Sequence, residues 1–115
     1  MKKYDLEERT LRFSKEIILL CKGLKITTIN RNIVSQLPRS ATSVGANYCE
    51  ANGAVSKKDF ANKIHICKKE AKESYYWLSL LKDTAEETSI AKIEKDLKES
   101  KELLLIFSKI AYSSR

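Results

Sequence analysis

Lys58, Asn62, His65, Lys69 and Lys72 recur at steps of three and four residues, with Lys57 and Lys68 beside them and Tyr76 extending the row. That spacing lines one face of an α-helix. Lysines so placed can contact successive phosphates without reading bases, which is the chemistry of a polyanion-binding surface. The competing reading is an ordinary solvated face in which Glu70 and Glu73 offset part of the charge. Tyr75, Tyr76 and Trp77 are consecutive and point three ways, so one or two belong in a core or interface and not under stacked bases.

A second polar row, Gln36, Ser40, Ser43, Asn47 and Glu50, steps by four, three, four and three beside an apolar row, with Arg39 next to it. Small neighbours Ala41, Gly45, Ala46 and Ala51 let another helix come close. Gly45 inside a helix costs about 1 kcal/mol relative to Ala unless close packing offsets it. Two faces of this segment therefore look packed. Contact with another subunit through side-chain hydrogen bonds is the sharper expectation; an internal polar network or a lightly solvated groove is the alternative.

Other chemistry finds less support. His65 and Cys67 lie two apart on one helix and point about 200° away from each other, so they cannot chelate one ion. His65, the sole histidine, has no Ser or Cys at i±3 or i±4, the spacing at which a base would meet a nucleophile on the same helix. Gly23, Gly45 and Gly53 are isolated and form no phosphate-cradling loop. The sequence therefore predicts no enzyme, no metal and no cofactor.

With 22 basic and 15 acidic residues the net charge is +7, which favours acidic partners and also serves solubility. Residues 1–30 and 57–74 carry +3 each, residues 31–56 carry +1, and residues 75–115 are balanced. Apolar residues make up 43% and charged residues 32%, with one proline and three glycines. That mixture is too hydrophobic for disorder and too poor in breakers for a many-turned β fold. No apolar run approaches the ~20 residues that span a bilayer, and the Met-Lys-Lys-Tyr-Asp start lacks a secretory signal's apolar stretch, so no membrane contact and a cytoplasmic location are expected. Cys21, Cys49 and Cys67 are odd in number and sit in apolar patterns, which suits three free thiols packed as small core residues.

Four periodic segments position these rows within one domain of 115 residues. The first, about 5–24, is expected to be capped by Asp5 and carries Leu6, Thr10, Phe13, Ile17, Leu20 and Leu24. The second, about 31–52, is expected to be capped by Asn30 and carries Ile33, Leu37, Ala41, Val44, Tyr48 and Ala51, kinked but continuous at Pro38. The third, about 57–84, opens on Ser56 and Asp59 and carries Phe60, Ile64, Cys67, Ala71, Leu78 and Leu81. The fourth, about 89–113, is expected to be capped by Thr88 or Ser89 and carries Ile90, Ile93, Leu97, Leu104, Phe107 and Ala111, widened by Leu103 and Ile110. Short polar connections force antiparallel neighbours, so the fold class is all-α, an antiparallel up-and-down four-helix bundle.

The stretch from Gln36 to Ala51, the pair Asp59-Phe60, and Lys69 to Leu81 together resemble the bacterial four helix bundle protein family, also called the 23S rRNA intervening sequence protein family. Arg39, Ser40, Ser43, Asn47 and Glu50 stand where that family's pattern places them. The resemblance implies a bundle that assembles as a homopentamer and whose biochemical role is unsettled. It is also similar in fold to the accessory protein of diversity-generating retroelements, a basic pentamer implicated in binding nucleic acid and a protein partner. Together these readings predict an oligomeric module with two candidate surfaces. RNA or DNA would meet Lys57, Lys58, His65, Lys68, Lys69 and Lys72, and copies would meet one another through Gln36, Arg39, Ser40, Ser43, Asn47 and Glu50. The alternative is a structural or protein-binding scaffold.

Overall fold

The computed structural model describes the backbone of residues 3–114 and the side chains of residues 6–114. Four helices follow one another: α1 (Lys3–Lys22), α2 (Arg31–Asn52), α3 (Lys57–Thr84) and α4 (Glu87–Ser113). The described residues contain no strand. Each helix packs against the next and α4 returns to α1, closing a ring of 45 × 24 × 20 Å. This is the four-helix bundle expected from the periodicity. The α1–α4 seam is the sparsest of the four, and α2–α3 the most extensive. None of the helices is long and apolar enough to cross a membrane.

The core follows the apolar rows. Phe13, Ile17, Leu37, Val44, Ile64, Leu78, Leu81, Ile93, Leu103 and Phe107 are fully buried. Each large side chain removed from water contributes roughly 1.5–3 kcal/mol. Tyr48 meets Phe107 edge-on, with ring centroids 5.6 Å apart, joining α2 to α4 across the bundle. Polar members of the rows are satisfied locally. Thr10 Oγ1 donates to the carbonyl of Leu6 at 2.9 Å, and Ser14 Oγ donates to that of Thr10 at 3.1 Å.

Several expectations need correcting. In α4 the inward row is Ile93, Asp96, Ser100, Leu103, Phe107 and Ala111, while Leu97 and Leu104 are only partly buried. Asp96 can occupy that row because Lys92 donates to both its oxygens, at 2.9 and 3.0 Å, and also reaches Glu16 on α1. Burial pushes the Asp96 carboxyl above its ordinary range, and Lys92 opposes the shift. Asn30 stands at the N-cap of α2, but its side chain makes no capping bond. Its side chain instead closes the preceding loop, accepting from the Thr27 amide at 2.8 Å and donating to the Lys25 carbonyl at 2.9 Å. Helix α4 starts at Glu87 with Glu86 at its N-cap, so Thr88 and Ser89 lie within its first turn. Ser56 does cap α3, accepting from the Asp59 amide at 3.0 Å. Helix α1 already runs at Lys3, which puts Asp5 inside it, and the Asp5 side chain lies outside the described residues. Pro38 sits inside a continuous α2, where it removes only the one donor to the carbonyl a turn before it.

Of the cysteines only Cys67 is a core residue. Its Sγ donates to the Val44 carbonyl at 3.4 Å, and burial pushes its thiol up to about 12. Cys21 is half-buried and pushed up to about 11, again by burial first, while Cys49 is exposed. All three are free.

Helix α2 is packed on two faces, as its small residues predict, and both partners belong to the same chain. Helix α1 approaches at Ala41 and Gly45. A Cβ at Gly45 would stand 3.2 Å from Thr10 Oγ1 and 3.3 Å from Thr10 Cβ, so the glycine is what lets the two backbones meet here. On the other side Ser40 Oγ and Ser74 Oγ lie 2.8 Å apart in the interior. Replacing Gly45 by Val should therefore destabilise the protein by roughly 2–3 kcal/mol through overpacking. Gly45→Ala should stay within about 1 kcal/mol of wild type, because its helix propensity offsets a contact only slightly too close. Urea unfolding at one fixed protein concentration checks both values.

Candidate nucleic-acid interface

Along α3 the core-facing row of Ile64, Cys67, Ala71, Ser74, Leu78 and Leu81 fixes which residues look outward. Lys58, Asn62, His65, Lys69, Lys72 and Tyr76 are all exposed. At 3.6 residues per turn they fall within an arc of roughly 80°, opposite the core row. Lys57 is exposed and Lys68 half-buried on the flank of this row. Structure thus brings the six proposed contact residues to one side of one helix. Among the described residues no carboxylate pairs with Lys57, Lys58, Lys68, Lys69 or Lys72; the α3 lysines that do pair are Lys63, with Glu50, and Lys82, with Glu94. The next acid on this face is Asp83, two turns beyond Tyr76.

Glu70 and Glu73, which the sequence offers as counter-charges to the lysines, turn the other way. Both carboxylates bind Arg39 of α2: Nη1 lies 3.3 and 3.4 Å from the two oxygens of Glu70, and Nη2 donates to Glu73. Glu70 is buried at 7% relative exposure. Burial works against the charged guanidinium, but the two glutamates outweigh it and hold Arg39 above its usual range. Glu73 also accepts from Trp77 Nε1 at 3.0 Å, so the indole is held on the α2 side of α3. Tyr75 goes to the α4 side, where Lys101 Nζ lies 5.6 Å from its ring centroid. Only Tyr76 of the three aromatics stands out in solvent, 57% exposed and edge-on to Trp77.

The polar row of α2 divides. Ser40, expected at a subunit contact, is fully buried between α2 and α3 and donates to the Leu37 carbonyl as well as meeting Ser74. It belongs to the internal network. Arg39 and Glu50 are exposed but anchored to α3, Glu50 accepting from Lys63 Nζ at 2.8 Å. Gln36, Ser43 and Asn47 remain at the surface, half-buried, and hydrogen-bond only within α2. Gln36 Nε2 and Asn47 Oδ1 have no partner among the described residues. His65 lies outside and Cys67 inside α3, so the two share no site.

Sequence reasoning missed the role of Arg39. The signal was present as an arginine on one predicted helix and two acids three apart on the next, but only the pairing of α2 with α3 shows that they meet. Because Glu70 is buried, Arg39→Ala should cost about 1–3 kcal/mol by leaving that carboxylate without its donor. Arg39→Lys should recover only part of the loss, since one ammonium cannot fork to two carboxylates as a guanidinium does. Chemical denaturation of the two variants measures this difference.

The sequence matches the profile of a family described as 23S rRNA-intervening sequence protein over residues 2–110. It is also similar to the crystal structure of a protein with unknown function from the S23 ribosomal protein family of Bacteroides thetaiotaomicron VPI-5482. The two are 32% identical, the match covers 97% of this chain and 99% of that one, and the TM-score is 0.80. No curated protein matches the sequence. Helix content, ring order and the profile match over nearly the whole length agree: the chain belongs to the 23S rRNA-intervening sequence protein family.

Proposed function

We propose that this protein is a non-catalytic, cytoplasmic, homo-oligomeric bundle that binds RNA or DNA through the outer face of α3. The observation that carries the reading is the separation of charge on α3. Its acids Glu70 and Glu73 are drawn to Arg39, and the lysine row is left with no paired carboxylate. An ordinary solvated helix face interleaves both signs, whereas the lysines on this one stand without an acid paired to any of them. Lysine ammoniums suit phosphates as point charges and carry no base specificity, so sequence-independent binding is expected. Gln36, Ser43 and Asn47, with their spare polar atoms, support a contact between copies beside Arg39 and Glu50. Five copies, the number that the family resemblance implies, would carry a formal charge of five times +7, or +35.

A second reading, a protein-binding scaffold, draws on α1, whose outer side leaves Leu11 and Leu19 more than half exposed and Ile18 nearly so. The two readings part on charge. Fluorescence anisotropy with a labelled oligonucleotide at low salt should give measurable affinity for wild type. The triple variant Lys58→Glu, Lys69→Glu, Lys72→Glu should lose at least tenfold in affinity, and its slope of log affinity against log salt should fall in magnitude by about 2 or more. Binding that is absent in wild type, or unchanged in the variant, leaves the scaffold reading. Assembly is measured separately by light scattering behind a sizing column, where a multiple of the 13.2 kDa chain is expected. Asn47→Arg should lower that multiple; a wild-type monomer would defeat the oligomer.

A further inference from the structure

We infer that the nucleic acid taken by the α3 face is single-stranded, with one unpaired base stacked on the ring of Tyr76. The inference rests on the nucleic-acid reading above and adds the class of ligand. Tyr76 stands at the same azimuth as Lys58, eighteen residues earlier, so the row of cations runs for about 27 Å and ends on an aromatic ring. That ring is 57% exposed on a charged surface, where an apolar group gains nothing by being wet. It is also held in place. Trp77 packs edge-on against it with centroids 5.3 Å apart and an interplanar angle of 67°, and Trp77 is fixed through Nε1 to Glu73, which in turn binds Arg39. Leu80, one turn beyond Tyr76 and 36% exposed, adds an apolar surface next to the ring.

A row of cations leading to a braced, exposed aromatic is what a single strand uses: the cations track its backbone and the ring takes a base face. A duplex offers Tyr76 no such face, because its bases are already stacked on one another. Lysines alone would hold the phosphates of a duplex as well as those of a strand, so it is the exposed ring at the end of the row that favours the single strand. The Lys101 ammonium over Tyr75 adds one more cation on the α4 side of the row, near its aromatic end.

Trp77 is the sole tryptophan and lies against Tyr76, so it reports on the event directly. Titrating wild type with a twelve-residue oligouridylate or oligothymidylate should change Trp77 emission, and anisotropy should show weaker binding to a hairpin duplex of equal charge. Tyr76→Ala should lose about five- to tenfold in single-strand affinity while keeping its salt slope and its duplex affinity, and Tyr76→Phe should bind as wild type. Circular dichroism of the alanine variant confirms that the bundle is intact. Should Tyr76→Ala bind the single strand as well as wild type, or the duplex bind wild type as tightly as the single strand, stacking on Tyr76 is overturned. The lysine-to-glutamate variant separates the two failures. If it alone loses affinity, the charged face stands and only the stacking falls; if neither variant loses affinity, the nucleic-acid reading falls with it.

Discussion

The grip of Arg39 on Glu70 and Glu73 organises both long surfaces of this bundle. It ties α2 to α3 at mid-height, next to the buried contact of Ser40 with Ser74. It also decides where the charge of α3 appears. Helix α3 carries seven lysines against two glutamates and two aspartates, and glutamates left beside the lysines would cancel part of their charge within a Debye length. Here a single guanidinium collects two carboxylates on the α2 side, so the opposite side keeps one sign. The same link fixes Trp77 through Glu73, and through it the setting of Tyr76. Packing and surface potential are therefore one problem in this molecule.

Helix α2 shows how small residues serve this arrangement. Ala41 and Gly45 admit α1 on one side, with Ser14 Oγ reaching the Ala41 carbonyl at 3.3 Å, while Ser40 and Val44 meet α3 on the other. A bulkier helix could face only one neighbour closely. The two-faced pattern in the sequence was real: α1 fills one face, α3 takes the polar row at Ser40, and Gln36, Ser43 and Asn47 of that row stay at the surface.

Much of the fold was legible because apolar side chains at steps of three and four leave few alternatives. The rows of α1 and α2 are the buried rows, and Ser56 caps α3 as its spacing with Asp59 predicts. Helix α4 was misread by one position because its inward row passes through Asp96 and Ser100, which periodicity counts as outward. Only Lys92, a turn before Asp96, makes that burial tolerable, and a hydrophobicity pattern does not register such a partner. Asn30 was placed correctly at the start of α2, but its side chain can serve the cap or the loop, and here it accepts from the loop amide of Thr27. For the candidate surface, the lysine row was visible in the spacing. What neutralises Glu70 and Glu73 was not, because it depends on which helices are neighbours.

The sparse seam between α1 and α4 is joined largely by charge: Arg9 forks to Glu99 with both bonds at 2.7 Å, and Lys92 reaches Glu16 at 2.9 Å. The α2–α3 and α3–α4 seams carry ion pairs as well, Arg39 with Glu70 and Glu73 and Lys82 with Glu94, but over more extensive packing of helix on helix. A closed ring in which one joint is both the sparsest and ionic has a preferred line of opening, along the seam of α1 with α4. Ions in the solvent weaken every such pair, and the loss counts most where the least packing lies behind it. The breathing of this bundle is thus set by the electrolyte around it, on the side of the molecule away from the lysine row.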